Sequence, residues 1–248
     1  MVGEQRKVAL CITHYNRVDM LFKSFEKVWN DPRISRIHIS DDGSDEIVIR
    51  DLIQRVLNFN REKRQFIETR FIPRNIGCYH NKAEVLQMAE RNEFDYAILL
   101  DSDNVIDTSY LDALFEVPEQ YWDGKTILAP DFARPHFNYQ YFAAQYLDKD
   151  TIKKHIPLMS KTRFDCLINC ANYVVPVKEY LRVFDPNFNP WTCDTVYQLY
   201  NWLKAGNAMY VVPGMQYDHL IHDGSHYKEH NRKVQGLFNE ITQKIMKL

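Results

Sequence analysis

The sequence is short of glycine, of charge imbalance and of long apolar runs. With only 8 Gly in 248 residues, it is neither loop-dominated nor of low complexity. A net charge of −2 and the lack of any Lys/Arg block argue against nucleic acid as a partner. No segment approaches the roughly 20 apolar residues that a membrane-spanning helix needs. Val8 to Ile12 has the length of a strand, and Met1 to Lys7 has no signal-peptide shape. The cysteines, Cys11, Cys78, Cys166, Cys170 and Cys193, are odd in number and lack Cys-x-x-Cys spacing. That pattern reads as free thiols in a reducing, cytoplasmic compartment rather than as a disulfide framework or zinc site. Aromatics, in contrast, are plentiful, with 15 Tyr, 14 Phe and 4 Trp.

Periodicity orders the rest. Lys7 to Thr13 reads as a buried strand and Asp19 to Trp29 as a helix. Strand Ile34 to Ser40, helix Ile47 to Phe59, strand Gln65 to Ile72, helix Lys82 to Glu90 and strand Ala97 to Leu100 follow. This alternation predicts βαβ units and a mainly parallel sheet. Beyond Asp103 the rhythm changes. A short helix at Tyr110 to Phe115, a strand at Thr126 to Pro130 and a strand at Asn169 to Val175 are expected. Helix Thr192 to Ala205, strand Met209 to Val212 and helix Tyr227 to Lys247 complete the series, and Pro135 to Tyr146 stays unassigned. The fold class is α/β, read as one domain over 1–248. Its nucleotide-binding half ends near 104, its acceptor and catalytic half near 226, and a C-terminal helix fills 227–248.

Asp95 to Asn104 is the most informative stretch. An apolar strand ends in Asp101-Ser102-Asp103, and the C-terminal ends of such strands face the crevice where α/β proteins bind ligands. Two carboxylates there repel unless a cation stands between them, and a hard divalent ion bridging carboxylates and phosphates answers that need. The plainer alternative is a polar turn with Asp103 or Asn104 capping a helix.

Other motifs fall in order around it. Thr13-His14-Tyr15-Asn16-Arg17 follows the first strand, Ser40-Asp41-Asp42-Gly43-Ser44-Asp45 the second, and Asn75-Ile76-Gly77 with Asn81-Lys82 the third. Together with Asp101-Ser102-Asp103 they resemble family 2 glycosyltransferases of the GT-A fold. That family's pattern runs Thr-x-x-Asn-Arg, Asp-Asp-Gly-Ser-x-Asp, Asn-x-Gly, Asp-x-Asp. Trp191-Thr192-Cys193-Asp194 stands where the family has its Glu-Asp or x-Asp catalytic pair, and Val212-Pro213 with His219 where it often has a strand ending in a metal-binding His. The match runs over roughly residues 7 to 226, and Cys193 is a departure from the usual acidic residue.

The resemblance implies a mainly parallel central sheet flanked by helices, with a smaller mixed sheet on the acceptor side. It implies a metal-dependent, inverting transfer from a UDP- or dTDP-sugar to an acceptor hydroxyl. Asp103 is the implied ligand of Mn2+ or Mg2+, with Asp101 on the ribose or a metal-bound water and His219 or His222 as a further ligand. Asp42 would accept the N3–H of uracil or thymine. Thr13 and Tyr15 would border the base, and Asn75, Gly77 and Ser102 the donor. Arg17 and Lys82 are candidates to neutralise the diphosphate, with a solvated helix residue as the alternative for each, and Asp194 is the implied base. For Asp41, Asp42 and Asp45 the alternative is helix capping, and for Thr192 or Asp194 it is a plain N-cap. His219, His222, His226 and His230 are spaced for one helix face, but Asp223-Gly224-Ser225 breaks a helix there, so a loop is expected after the last strand. His226 and His230 read as surface residues.

His136, Phe137, Tyr139, Tyr141, Phe142 and Trp191 fall on the implied acceptor side, where flat rings suit sugar faces; core packing is the alternative. The expected partners are a nucleotide-sugar donor and a glycan or glycoconjugate acceptor. Peripheral membrane contact through Lys228, Arg232, Lys233, Lys244 and Lys247 stays open. Competing readings are a retaining GT-A transferase, a sugar-1-phosphate nucleotidyltransferase, and a nucleotide-binding module without turnover. The absence of Gly after the first strand weighs against the nucleotidyltransferase and, with no Gly-x-Gly-x-x-Gly, against a dinucleotide-binding domain.

Overall fold

The computed structural model describes residues 6, 8–63, 66–188, 192–220 and 226–248, without the side chains of 160 and 226–234. In chain order the elements of the first half are β1 (Val8–His14), α1 (Val18–Phe25), β2 (Ile34–Asp41), α2 (Glu46–Lys63), β3 (Ile67–Phe71), α3 (Cys78–Arg91) and β4 (Tyr96–Asp101). Next come β5 (Asn104–Val105), α4 (Thr108–Phe115), β6 (Thr126–Arg134), β7 (Phe137–Asn138), β8 (Tyr146–Leu147) and α5 (Lys149–His155). The last are α6 (Met159–Thr162), α7 (Phe164–Leu167), β9 (Val174–Pro176), α8 (Val177–Val183), α9 (Asp194–Lys204), β10 (Ala208–His219) and α10 (His226–Met246).

All seven residues of β1 are buried, as a strand covered on both faces must be. It pairs in parallel with β2 on one side and β4 on the other, and β3 extends the sheet beyond β2. The chain therefore steps β1, β2, β3 in one direction and returns across the sheet to β4. With right-handed crossovers, α1 and α2 lie on one face and α3 on the other. The strand order reverses between β1 and β4, and at such a switch point the diverging connections open a crevice at the strand C-termini.

Beyond β4 the sheet turns mixed. β9 is antiparallel to β4 and β6, β6 and β10 are parallel, and β5 closes the edge antiparallel to β10. The short strands β7 and β8 pair with β6 and β10, so the mixed strands continue one ten-stranded sheet rather than forming the smaller acceptor-side sheet that was expected.

Several boundaries differ from the sequence expectation: α1 ends at Phe25 rather than Trp29, α3 begins at Cys78 rather than Lys82, and β6 runs on to Arg134. Asn169 to Val175 shortens to β9 because Ala171 adopts φ +65°, which interrupts an extended run. The last strand is longer than its apolar core suggests. β10 passes Pro213 and Gly214 through a register shift and re-pairs at Gln216, carrying His219 into the sheet rather than a loop. Asp131 of β6 holds that irregularity, accepting from Gly214 N at 2.8 Å and Gln216 Nε2 at 3.1 Å. The five cysteines are free thiols, and among the described residues no helix is long and apolar enough to cross a membrane.

Candidate active site at the sheet switch point

The crevice forms where Thr13 of β1 stands in register with Ser40 of β2 and Asp101 of β4. Thr13 Oγ1 donates to Asp101 Oδ1 at 3.0 Å, and Ser102 N donates to Thr13 O at 3.1 Å, which ties the start of the Asp-x-Asp turn to β1. Asn172 Oδ1 accepts from Asp101 N (2.9 Å) and from Asn104 Nδ2 (3.2 Å), so a residue 71 positions away holds both ends of that turn. Tyr15 is half-buried in the loop after β1.

The two aspartates at the end of β2 divide their work. Asp41 is the structural one. Its carboxylate accepts from His14 Nδ1 (2.8 Å), Ser44 N (3.0 Å) and Ser44 Oγ (2.5 Å). These hydrogen bonds overcome burial and hold the carboxyl below its usual range. His14 Nε2 accepts from Arg17 N at 3.0 Å, so the ring proton sits on Nδ1. Asp42 instead grips the loop after β3, accepting from Ile76 N (2.7 Å) and Gly77 N (3.1 Å). Asn75 Oδ1 shares Gly77 N at 3.0 Å. Gly43, between the aspartates and Ser44, has φ +72°, and its backbone lies directly against Arg74 and Asn75.

Burial pushes the Asp42 carboxyl up to about 6. Its folded pKa thus exceeds the unfolded value of roughly 3.9, so the stability it contributes is present below that value and is lost as pH rises through about 6. The span corresponds to about 3 kcal/mol. The unfolding free energy of wild type relative to Asp42→Asn is therefore expected to fall between pH 4 and pH 7. Parallel urea titrations across that range check it, and a pH-independent difference would contradict it. The lost amide contact in Asn contributes only a constant offset.

On the other side of the turn, Arg17 Nη1 meets Asp103 Oδ2 at 2.9 Å. Asn104 Nδ2 donates to Asp103 Oδ1 (3.1 Å), and His219 Nδ1 lies 2.8 Å from Asn104 Oδ1. Since the Asn104 amide nitrogen is committed as donor, its oxygen accepts from His219. The imidazole lone pair then falls on Nε2, the tautomer suited to ligating a metal. His219 is register-paired with Asn104, and Leu220 N donates to Asp103 O at 3.0 Å, so the imidazole and the second Asp are neighbours across two strands. The carboxylate suits Mn2+ or Mg2+, and an imidazole ligand favours Mn2+, the softer of the two. As the side chains stand, among the described residues no three His, Cys, Asp or Glu groups gather closely enough to hold an ion. Asp103 is turned to Arg17, and Asp101 to Thr13 and Lys82.

Asp194 opens α9, following Cys193 at φ +61°, a left-handed conformation unusual for a residue with a side chain. Cys193 is buried where the family carries an acidic residue. Asp194 Oδ2 lies 2.6 Å from Lys82 Nζ, which is also 3.7 Å from Asp101 Oδ1. Burial alone would discharge Lys82, but the two carboxylates outweigh it and hold the ammonium well above the usual lysine range. Lys82 is therefore bound to protein carboxylates here, not held out toward a phosphate.

The implied acceptor rings separate. Tyr139 is 1% exposed and Phe142 fully buried, so both pack the core and neither faces an acceptor. His136 and Tyr141 are exposed, and the Phe137 ring centre is 5.6 Å from that of His219. Trp191 and His222 lie outside the described residues, as do the side chains of His226 and His230. The sequence reading missed Asn172 entirely and treated Asn104 only as a possible cap. Nothing local marks Asn172. Asn104 carried a usable signal in its position directly after Asp103.

No family model matches the chain, and no curated protein is similar to it in sequence. Solved structures are similar in fold. Residues 1–349 of S. aureus TarS superpose with a TM-score of 0.66 at 13% identity, over 97% of this chain and 69% of that one. The same protein in complex with UDP-GlcNAc gives 0.63 at 13%, over 97% and 70%. GalNAc-T7 with UDP, GalNAc and Mn2+ gives 0.62 at 11%, over 89% and 45%. This chain thus has the GT-A fold, the fold of nucleotide-sugar glycosyltransferases.

Proposed function

We propose that this chain transfers a sugar from a UDP- or dTDP-sugar to an acceptor hydroxyl, with Mn2+ or Mg2+ held at Asp103 and His219. The observation that carries the reading is the convergence of Asp42, Asp101, Asp103 and the helix-borne Asp194 at the switch point of a GT-A sheet. UDP in the TarS and GalNAc-T7 complexes supports the donor class, and Mn2+ in the GalNAc-T7 structure supports the metal.

In this reading Thr13 and Tyr15 border the base, and ionised Asp42 accepts the N3–H that uracil and thymine have and cytosine lacks. A carboxylate offers about four lone-pair sites, so capacity remains beyond the bonds from Ile76 and Gly77. Asn75, Gly77, Ser102 and Asp101 line the donor side, and Arg17 stands by Asp103 to meet diphosphate charge. The divalent ion, when bound, stabilises the charge that develops on the leaving diphosphate. Asp194 takes the acceptor proton as the new glycosidic bond forms, and a single base suits direct displacement with inversion. The acceptor is a glycan or glycoconjugate.

The test is calorimetric titration with UDP, dTDP, GDP and CDP, each with Mn2+ and with EDTA. UDP or dTDP is expected to bind, more tightly with Mn2+, and CDP to bind weakly. Failure of all four would remove the donor assignment. In Asp103→Ala the Mn2+ and EDTA titrations are expected to coincide. A metal effect retained in that variant would move the ion elsewhere.

A further inference from the structure

We infer that Lys82 is a positioning residue for Asp194, and that it stays on Asp194 when the donor binds rather than serving as a ligand of the diphosphate. The inference rests on the transferase reading and names the device that aligns its base. Lys82 lies in the first turns of α3, and its side chain is 4% exposed. It has two carboxylates within 4 Å, from opposite sides of the crevice: Asp101 at the end of donor-side β4 and Asp194 at the start of α9. The ammonium lies within 4 Å of both carboxylates, so it fixes where α9 presents its carboxylate relative to the donor strand. It engages Oδ2 of Asp194 at 2.6 Å, and the Cys78 thiol is a second neighbour of the same carboxylate.

Burial decides between holding and moving. Drawing Lys82 out to a phosphate would leave Asp194, 9% exposed, and Asp101 without their shared counter-charge. Removing one partner of a buried pair is strongly unfavourable, because the remaining charge is desolvated and uncompensated. Arg17, with its side chain 25% exposed beside Asp103 against 4% for Lys82, is the more accessible of the two cations to a diphosphate. Cys78, one turn before Lys82, adds a thiol that burial keeps protonated, so it brings no competing negative charge to Asp194.

Two measurements with UDP test this without knowledge of the sugar or acceptor. In calorimetry with UDP and Mn2+, Lys82→Met is expected to bind within about threefold of wild type. A loss of about tenfold or more, the worth of one charge-assisted phosphate contact, would make Lys82 a diphosphate ligand and overturn the inference. In carbon NMR of the protein labelled at aspartate carboxyls, the Asp194 signal is assigned by its absence in Asp194→Asn. That signal is expected to move in Lys82→Met and to stay in place when UDP and Mg2+ are added to wild type. Movement on nucleotide addition toward the Lys82→Met position would overturn the inference, even if Lys82→Met folds poorly. Failure of wild type to bind UDP would sink the functional reading and this inference together. Binding by wild type with a lost or displaced Lys82–Asp194 pair would sink this inference alone.

Discussion

Asp194→Asn is expected to bind UDP as wild type does and to lose sugar transfer by about 10²–10⁴-fold, the usual contribution of a general base. Asn matches Asp in shape and still offers an oxygen to Lys82 Nζ, now 2.6 Å from Asp194 Oδ2, so the geometry of α9 is retained. What disappears is the lone pair basic enough to take a hydroxyl proton as the bond to the sugar forms. The loss should therefore fall on kcat and not on donor affinity, the signature of an interaction made only in the transition state. Some stability is also lost, because Lys82 keeps only Asp101, 3.7 Å away, as a charged partner. Calorimetry with UDP and the rate of UDP release from a turned-over donor, both well below the melting temperature, separate the two effects. Transfer at the wild-type rate would place the base elsewhere.

Gly43→Ala is expected to be the most damaging small substitution at the site. At φ +72° an added Cβ would lie 2.5 Å from the Arg74 carbonyl carbon, 2.6 Å from Asn75 N and 2.8 Å from Arg74 Cα. All three are backbone atoms, so no rotamer change can relieve the overlap. The loop after β3 must retreat, and Asp42 then loses its hold on Ile76 N and Gly77 N. The left-handed backbone alone costs about 1–2 kcal/mol for an alanine, and the overlap adds to it. A control is built into the chain: Gly124 has φ +75° with nothing within 4 Å of its would-be Cβ. Gly124→Ala should show only the backbone cost, about 2–4 °C in Tm per kcal/mol for a chain of this size. Gly43→Ala should melt several degrees lower still and bind UDP more weakly. Equal melting points for the two variants would mean that the turn and the loop do not touch as described.

The order of elements through β4 and the location of the crevice were legible because both follow from local patterns, whereas the short elements between Asn104 and Val183 were largely not. Continuous apolar runs such as Val8 to Ile12 and Ala97 to Leu100 must be covered on both faces, and alternation with amphipathic helices allows few topologies. The polar motifs directly after those strands then fall at the crevice by chain continuity. Pairing between distant segments was not legible. The resemblance singled out Asp42 for the base and left both Asp41 and Asp42 open to capping, and only the approach of Ile76 and Gly77 on one side and His14 on the other separated turn builder from loop clamp. It left Tyr139 open between an acceptor contact and core packing, and only the tertiary structure, which buries the ring, decided for the core. His219 was expected in a loop, yet the Asp131-held irregularity lets β10 continue past Gly214. Lys82 had the composition of a phosphate ligand, and the fold gave it to Asp194, 112 positions away. The sequence by itself determined the sheet, the switch point and the carboxylates that reach it, because strand burial and chain order are properties of neighbouring residues. The tertiary structure alone decided which buried charge compensates which, because a desolvated ammonium takes whatever carboxylate the packing brings within reach, however far apart the two lie in sequence.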